Sequence, residues 1–476
     1  MKLPSLAVVL SAALTCTAAE FKSKPWATIK GAGPALPQLG WVVPRSSAEI
    51  ASSPWSVGCE TLDRDYAIFK NYRPYVGELG AKSARLQSGW ARCEKKPDVY
   101  TFEWLDEVVY GLKEQGVKPW ICLCYGNPIY GSDRNLGARV LTTEPELEAW
   151  CRYVEAIVNR YKEVVTEWEI WNEPKRDEGQ AYANLFLRSA EVIKRVQPNA
   201  TLIGLTVHGF APVMHHFNYA RDVLDVLQVK GKLALLDYVS YHPYTYNPDD
   251  SNASAEELAQ LVHSFRKEIK MFQAESGAPS EYHVHHALAN HPWTEYSQPK
   301  WLLRRMAGDR VRNIRTSVFA MIDMRYPQVL LSMGLLRSDL QNTVIYRKPS
   351  FYAVQHMMSL FDDTVSPIGA MKHESDQPRQ LTVAGFRQHG LPRLLVWQHD
   401  RIPTDDLKWE STNLKVEGVA FKDPVYVELI SGKVYALRPD SWQSDDDTVT
   451  FRGLPLWDSV VMIAERSQVP IGPARN

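Results

Sequence analysis

The chain has almost no charge bias. Its 476 residues carry 54 Lys+Arg against 55 Asp+Glu, a formal net charge of −1, and no basic run of the kind that tracks a phosphate backbone. Nucleic-acid binding is therefore not expected. No glycine-rich phosphate fingerprint follows any strand candidate, which argues against a nucleotide-binding sheet. Cysteine is scarce, at six residues, and no Cys-x-x-Cys or Cys/His spacing marks a zinc site. Neither a metal nor a cofactor is expected. Beyond the first twenty residues, no apolar run approaches the roughly 18 that cross a bilayer, so no membrane partner is expected. No internal repeat or low-complexity tract is present.

The first residues read as an export leader. Lys2 precedes the apolar run Leu3 to Leu14, and the small residues Thr17-Ala18-Ala19 suit cleavage after Ala19. Ala13-Leu14-Thr15 ahead of Cys16 fit a lipidation site poorly. The expectation is a secreted or periplasmic protein with a leader over 1–19. Five cysteines then remain. Cys122 and Cys124 share one face of a strand candidate and cannot easily bridge each other. A Cys59–Cys93 bridge is compatible with the sequence without being demanded by it.

Hydrophobic residues make up 45% and charged residues 23%, ordinary globular values that allow a sizeable core. The length suits two or three domains, or one large barrel with an appendage. From about Gly80 to Asp362, short apolar runs alternate with helical periods. The strand candidates are Ser83–Leu86, Trp120–Cys124, Glu167–Ile170, Thr201–Leu205, Tyr238–Tyr241, Met271–Gln273 and Val318–Ile322, with an eighth near Val57 or around Trp41–Val43. Amphipathic stretches lie between them, one ending at Gly116 and another stopped by Pro198. Repeated βα units of this number predict an α/β fold, a (β/α)8 TIM barrel, over 41–362. After Asp362 the helical period vanishes and strands alternate with Pro, Gly and Asp turns. That predicts a C-terminal antiparallel β-sandwich over 363–476, which a segment over 20–40 containing Trp26–Ile29 is expected to join.

Two carboxylates stand out. Glu167-Trp168-Glu169-Ile170 runs into Trp171-Asn172-Glu173-Pro174, where proline ends the ladder and turns the chain into a loop. In a βα barrel that end of a strand carries the chemistry. Burial among tryptophans is expected to raise the pKa of Glu173, as a general acid requires. Met271 to Ala274 likewise leads to Glu275-Ser276-Gly277. Counted along the chain, Glu173 ends strand four and Glu275 ends strand seven. Two such groups about 5 Å apart would suit a retaining glycosidase.

These two segments resemble the strand-four and strand-seven motifs of clan A retaining glycoside hydrolases. With the C-terminal sandwich, the chain is most similar to family 39, which includes β-xylosidases and α-L-iduronidases. The resemblance implies an exported glycosidase acting on an oligo- or polysaccharide. It implies Glu173 as acid/base, Glu275 as nucleophile and Asn172 as a contact to the sugar 2-hydroxyl. It also implies that Tyr244 and Arg85 hold the nucleophile ionised and that His242 lines the sugar site. Trp90 and Asn127 are read as further sugar contacts, with loop packing nearly as good an account. One departure is the stretch Phe319–Arg325, which has no Trp where many clan members keep one.

Two competing readings remain at this level. A non-catalytic carbohydrate-binding barrel would usually lose one carboxylate, and both are kept. A metal-dependent hydrolase would need a ligand cluster, for which His283-Val284-His285-His286 is the one candidate. Arg92, Arg134, Lys175, Arg176 and Arg325 fall on mouth loops, where they could grip an anionic sugar or pair with Asp177, Glu178 and Asp323. The second option is preferred, and with it a neutral glycoside.

Overall fold

The computed structural model describes residues 33–210 and 217–473. The leader, Trp26–Ile29 and Cys16 lie outside them. Eight parallel strands close into a barrel in the order in which the chain visits them. They are β1 (Trp55–Gly58), β2 (Ser83–Gln87), β3 (Lys118–Leu123), β4 (Glu167–Ile170), β5 (Thr201–His208), β6 (Tyr238–His242), β7 (Lys270–Ser276) and β8 (Arg315–Val318). The main crossover helices include Phe69–Leu79, Glu103–Glu114, Glu144–Tyr161 and Gly179–Val196. Helix Glu144–Tyr161 opens on a Thr143/Glu146 capping box and buries Leu147, Trp150, Val154, Ile157 and Val158 against the barrel.

Of the two positions expected for the first barrel strand the one near Val57 holds, and the eighth strand is shorter than expected. The first barrel strand is Trp55–Gly58. Trp41 and Val42 instead pair with Lys433 and with Ile471–Gly472 in the C-terminal sheet. The eighth ends at Val318, so Phe319–Ile322 belongs to the loop above it.

The barrel is packed beneath its mouth. Trp120 of β3, Ile203 of β5, and Phe272 and Ala274 of β7 form one buried cluster, and the Trp120 indole donates to Ser56 of β1 at 2.9 Å. Odd-numbered strands thus supply a layer, as the barrel geometry requires. Arg85 of β2 stands on this floor, its guanidinium 5.5 Å from the Trp120 ring.

After the barrel come an eight-stranded antiparallel sheet, which Gln38–Val42 joins, and a four-stranded sheet. Buried charges fix the sandwich to helix Ser297–Val311. Lys300 Nζ meets Asp458 at 2.7 Å, and Arg304 binds Asp249 and the His399 carbonyl. Cys59, Cys93, Cys122, Cys124 and Cys151 are all free thiols, so Cys59 and Cys93 form no bridge. No helix among the described residues is long and apolar enough to cross a membrane.

Candidate active site

The end of β4 is backbone built for presentation. Trp171 (φ 65°) and Glu173 (φ 49°) both lie in the left-handed region, at a cost of about 1–3 kcal/mol each for side-chain-bearing residues. Contacts around them hold the turn. The Trp171 amide donates to the Leu123 carbonyl, and its own carbonyl accepts from Thr206 Oγ1 at 3.1 Å. Asn172 and Glu173 are thereby turned into the barrel mouth, where both line a cavity of about 170 Å³.

Glu275 enters the same cavity from β7. Its Oε2 accepts from Arg85 Nη1 at 2.6 Å and its Oε1 from the Tyr244 hydroxyl at 2.8 Å. Gly277, two residues on, lets the chain pass the end of β8, since a Cβ there would sit 1.9 Å from the Phe319 carbonyl oxygen. Arg85 is fully buried and also binds Glu169 Oε2 at 2.5 Å and Asn172 Oδ1 at 2.8 Å. Removing one partner of such a buried network typically costs about 3–5 kcal/mol. Arg85 therefore both stabilises the barrel mouth and keeps a positive charge against Glu275.

His242 joins the two carboxylates. Its Nδ1 lies 2.7 Å from Glu173 Oε1 and 3.9 Å from Glu275 Oε2. Glu173, His242 and Glu275 each offer one ligand-type atom, and these atoms lie within 4.8 Å of one another. The expected rise in the Glu173 pKa is not what the structure gives. Burial pushes it up, but the hydrogen bond and charge of His242 outweigh burial and hold the carboxyl down to about 2.

The other sequence candidates divide. Asn172, His242, Tyr244 and Arg85 gather around the carboxylates. Trp90 and Asn127 do not line their cavity. Trp90 is fully buried, its indole donates to Glu94 at 2.6 Å, and it stacks on Tyr130. Asn127 donates to the Glu94 carbonyl and accepts from the Ile129 amide. Both hold the loop after β3, and Trp90 also lines a neighbouring cavity. In the His283–His286 loop only His286 reaches the cavity. The place without a Trp is lined by Phe319 and Tyr326.

None of the five mouth cations lines this cavity. Arg92 pairs with Asp65 at 2.6 Å, Arg176 donates to the Gly209 carbonyl, and Arg325 to the Leu340 carbonyl. The expected acid partners are taken by other cations, Asp177 and Glu178 by Arg139 and Asp323 by Lys348.

Sequence reading missed three residues around the carboxylates. Glu169 faces into the barrel and anchors Arg85. The alternation Glu167-Trp168-Glu169 was a signal for it, because an acid at an inward position needs a buried cation. Glu60 follows β1 and lies 3.4 Å from Arg85. Burial, helped by the charge of Glu275, pushes its carboxyl up to about 8 against the pull of Arg85. Arg64 also lines the cavity, and nothing in its sequence context marked it. Tyr125, which opens the stretch Tyr125-Gly126-Asn127-Pro128 offered by the sequence as sugar contacts, lines it too.

The fold and site can now be set beside known proteins. The sequence pattern of glycosyl hydrolases family 39 matches residues 89–429. The chain belongs to glycosyl hydrolases family 39. A family 39 glycoside hydrolase from the gut symbiont Bacteroides cellulosilyticus WH2 superposes with a TM-score of 0.64 at 19% identity, covering 89% of this chain and 83% of that one. A GH30 endoxylanase from Clostridium papyrosolvens C71 follows the same fold at TM-score 0.56 and 12% identity, covering 90% and 98%. Among curated proteins, the aryl-phospho-beta-D-glucosidase BglA of Bacillus subtilis strain 168 is 23% identical over 209 residues. The chain spans 41% of that relative's length, and the match covers 41% of this chain. The family 39 match includes Glu173, Glu275, Asn172, His242 and Tyr244 but begins after Arg85.

Proposed function

We propose that this family 39 protein is an exported retaining glycoside hydrolase that cleaves neutral O-glycosides of an oligo- or polysaccharide by double displacement. The observation that carries the reading is the approach of Glu173 and Glu275, with one oxygen of each within 4.8 Å of the other. That approach supports a retaining pair, whose carboxyls lie about 5–5.5 Å apart, over an inverting one, which needs about 6.5–9.5 Å.

In this scheme Glu275 attacks the anomeric carbon. Arg85 and Tyr244 donate to its two oxygens and fix them, so that little reorganisation accompanies attack. Glu173, hydrogen-bonded to His242, protonates the departing oxygen and then deprotonates the water that releases the sugar. Asn172, tied to Arg85 and to the Tyr125 hydroxyl, is preset to meet the 2-hydroxyl. Export rests on the leader pattern over residues 1–19. A neutral sugar fits a cavity whose one lining arginine, Arg64, is engaged by Asp63 and Gln87.

The three-residue cluster could also hold a cation, but a metal would have to displace Arg85 and Tyr244 from Glu275. The test is a panel of neutral and uronic aryl glycosides assayed with and without a chelator. Turnover of a neutral member, unchanged by the chelator, is the expected result. Loss of activity with the chelator would transfer the chemistry to a metal, and a preference for uronic members would overturn the neutral assignment.

A further inference from the structure

A second cavity, of about 200 Å³, adjoins the catalytic one. Asp63, Asp65, Tyr66, Arg92, Arg134 and Asn135 are among its lining residues. Polar groups that can bind hydroxyls and an aromatic ring thus occur together, as in a sugar subsite. The two cavities share two lining residues, Arg64 and Tyr125. Arg64 is therefore a wall between them.

This wall is held from several directions. The Arg64 side chain is only 10% exposed and its Nε lies 3.3 Å from Asp63 Oδ1. Its Nη2 donates to Gln87 Oε1. The guanidinium packs on two rings, 5.4 Å from the centroid of Tyr66 and 5.4 Å from that of Tyr125. Tyr125 is itself held, since its hydroxyl accepts from Asn172 Nδ2 at 2.8 Å. A long side chain fixed by two hydrogen bonds and two cation–π contacts is a rigid partition rather than a mobile surface arginine. Tyr326 extends this packing, 4.6 Å from the Tyr66 ring, and lines the catalytic cavity together with His286 and Ala287.

We propose that Arg64 is the end wall of the catalytic cavity, confining the enzyme to release of a single terminal glycosyl unit, and that shortening it joins the two cavities into a cleft that accepts two units. This rests on the glycosidase reading above. The neighbouring cavity is then a latent second sugar subsite, shut off by Arg64 where it packs on Tyr125.

The experiment compares the aryl monoglycoside that proves best in the panel with the aryl glycoside of the matching disaccharide. Products are followed by chromatography from the first turnovers. Wild-type enzyme should release the terminal monosaccharide from the second substrate and no free disaccharide. Arg64→Ala should release disaccharide, its kcat/KM for that bond rising about tenfold or more relative to the monoglycoside. Arg64→Met, which keeps the bulk and removes the charge, should keep the wild-type product length. Disaccharide release by wild-type enzyme overturns the proposal and needs no variant to fold. So does an Arg64→Ala enzyme that cleaves the monoglycoside yet yields only wild-type products. If instead no glycoside is cleaved, or turnover survives Glu275→Ala, the glycosidase reading itself falls.

Discussion

Glu275→Ala is expected to lower turnover of every substrate by about four to six orders of magnitude, while the protein stays folded. The loss follows from what Glu275 does in the proposed scheme, since no other carboxylate of the cavity has the same approach. Glu173 lies across the cleavage point, and Glu60 is pushed towards its neutral form beside Arg85. Truncation leaves a space lined by Arg85 and the Tyr244 hydroxyl, both previously bound to the carboxylate. A small anion suits that space. Azide should therefore restore turnover and yield a glycosyl azide of inverted configuration. Wild-type activity in Glu275→Ala would place the nucleophile elsewhere. The structure offers little for that alternative, because Glu281 is paired with Arg337 and Glu295 accepts from Tyr346.

Glu173→Ala should separate substrates by leaving group. Where the departing phenol is a good leaving group, protonation matters little, and kcat/KM should fall by about tenfold or less. Where it is a poor one, such as a second sugar, the fall should be about a hundredfold to ten-thousandfold. The measurement is a plot of log kcat/KM against leaving-group pKa, flat for wild type and steep for the variant. Equal losses across the series would remove Glu173 from the acid role. His242, 2.7 Å away, would then be the group to examine, because it is hydrogen-bonded to that carboxylate.

Much of the barrel was legible in the sequence because its strands alternate with amphipathic helices. Asn172-Glu173-Pro174 was legible because proline fixes where a strand must end. The first strand was harder to place. Trp55–Gly58 is four residues long and buried throughout, so it carries no alternation, and Trp41-Val42 looks equally strand-like in isolation. With β1 left between two positions, the residues after it, Glu60 and Arg64, were not assigned to the mouth. Strand Glu410–Glu417 carries little strand signal, because only Leu414 and Val416 in it are strongly apolar. Trp90 shows a different limit. A tryptophan after a barrel strand reads the same whether it stacks on sugar or on Tyr130. The pKa of Glu173 was misjudged because burial can be read from neighbouring tryptophans, whereas the opposing hydrogen bond comes from His242, 69 residues along the chain.

The two-carboxylate mechanism is tested most directly by the configuration of the first sugar released. Proton NMR of the wild-type enzyme with its best aryl glycoside, recorded before mutarotation, shows which anomer appears first. Retention of the substrate's configuration is the predicted result, because Glu275 attacks first and water follows on the same face of the sugar. Initial release of the opposite anomer would contradict the account. It would mean that water, not Glu275, meets the anomeric carbon in the first step.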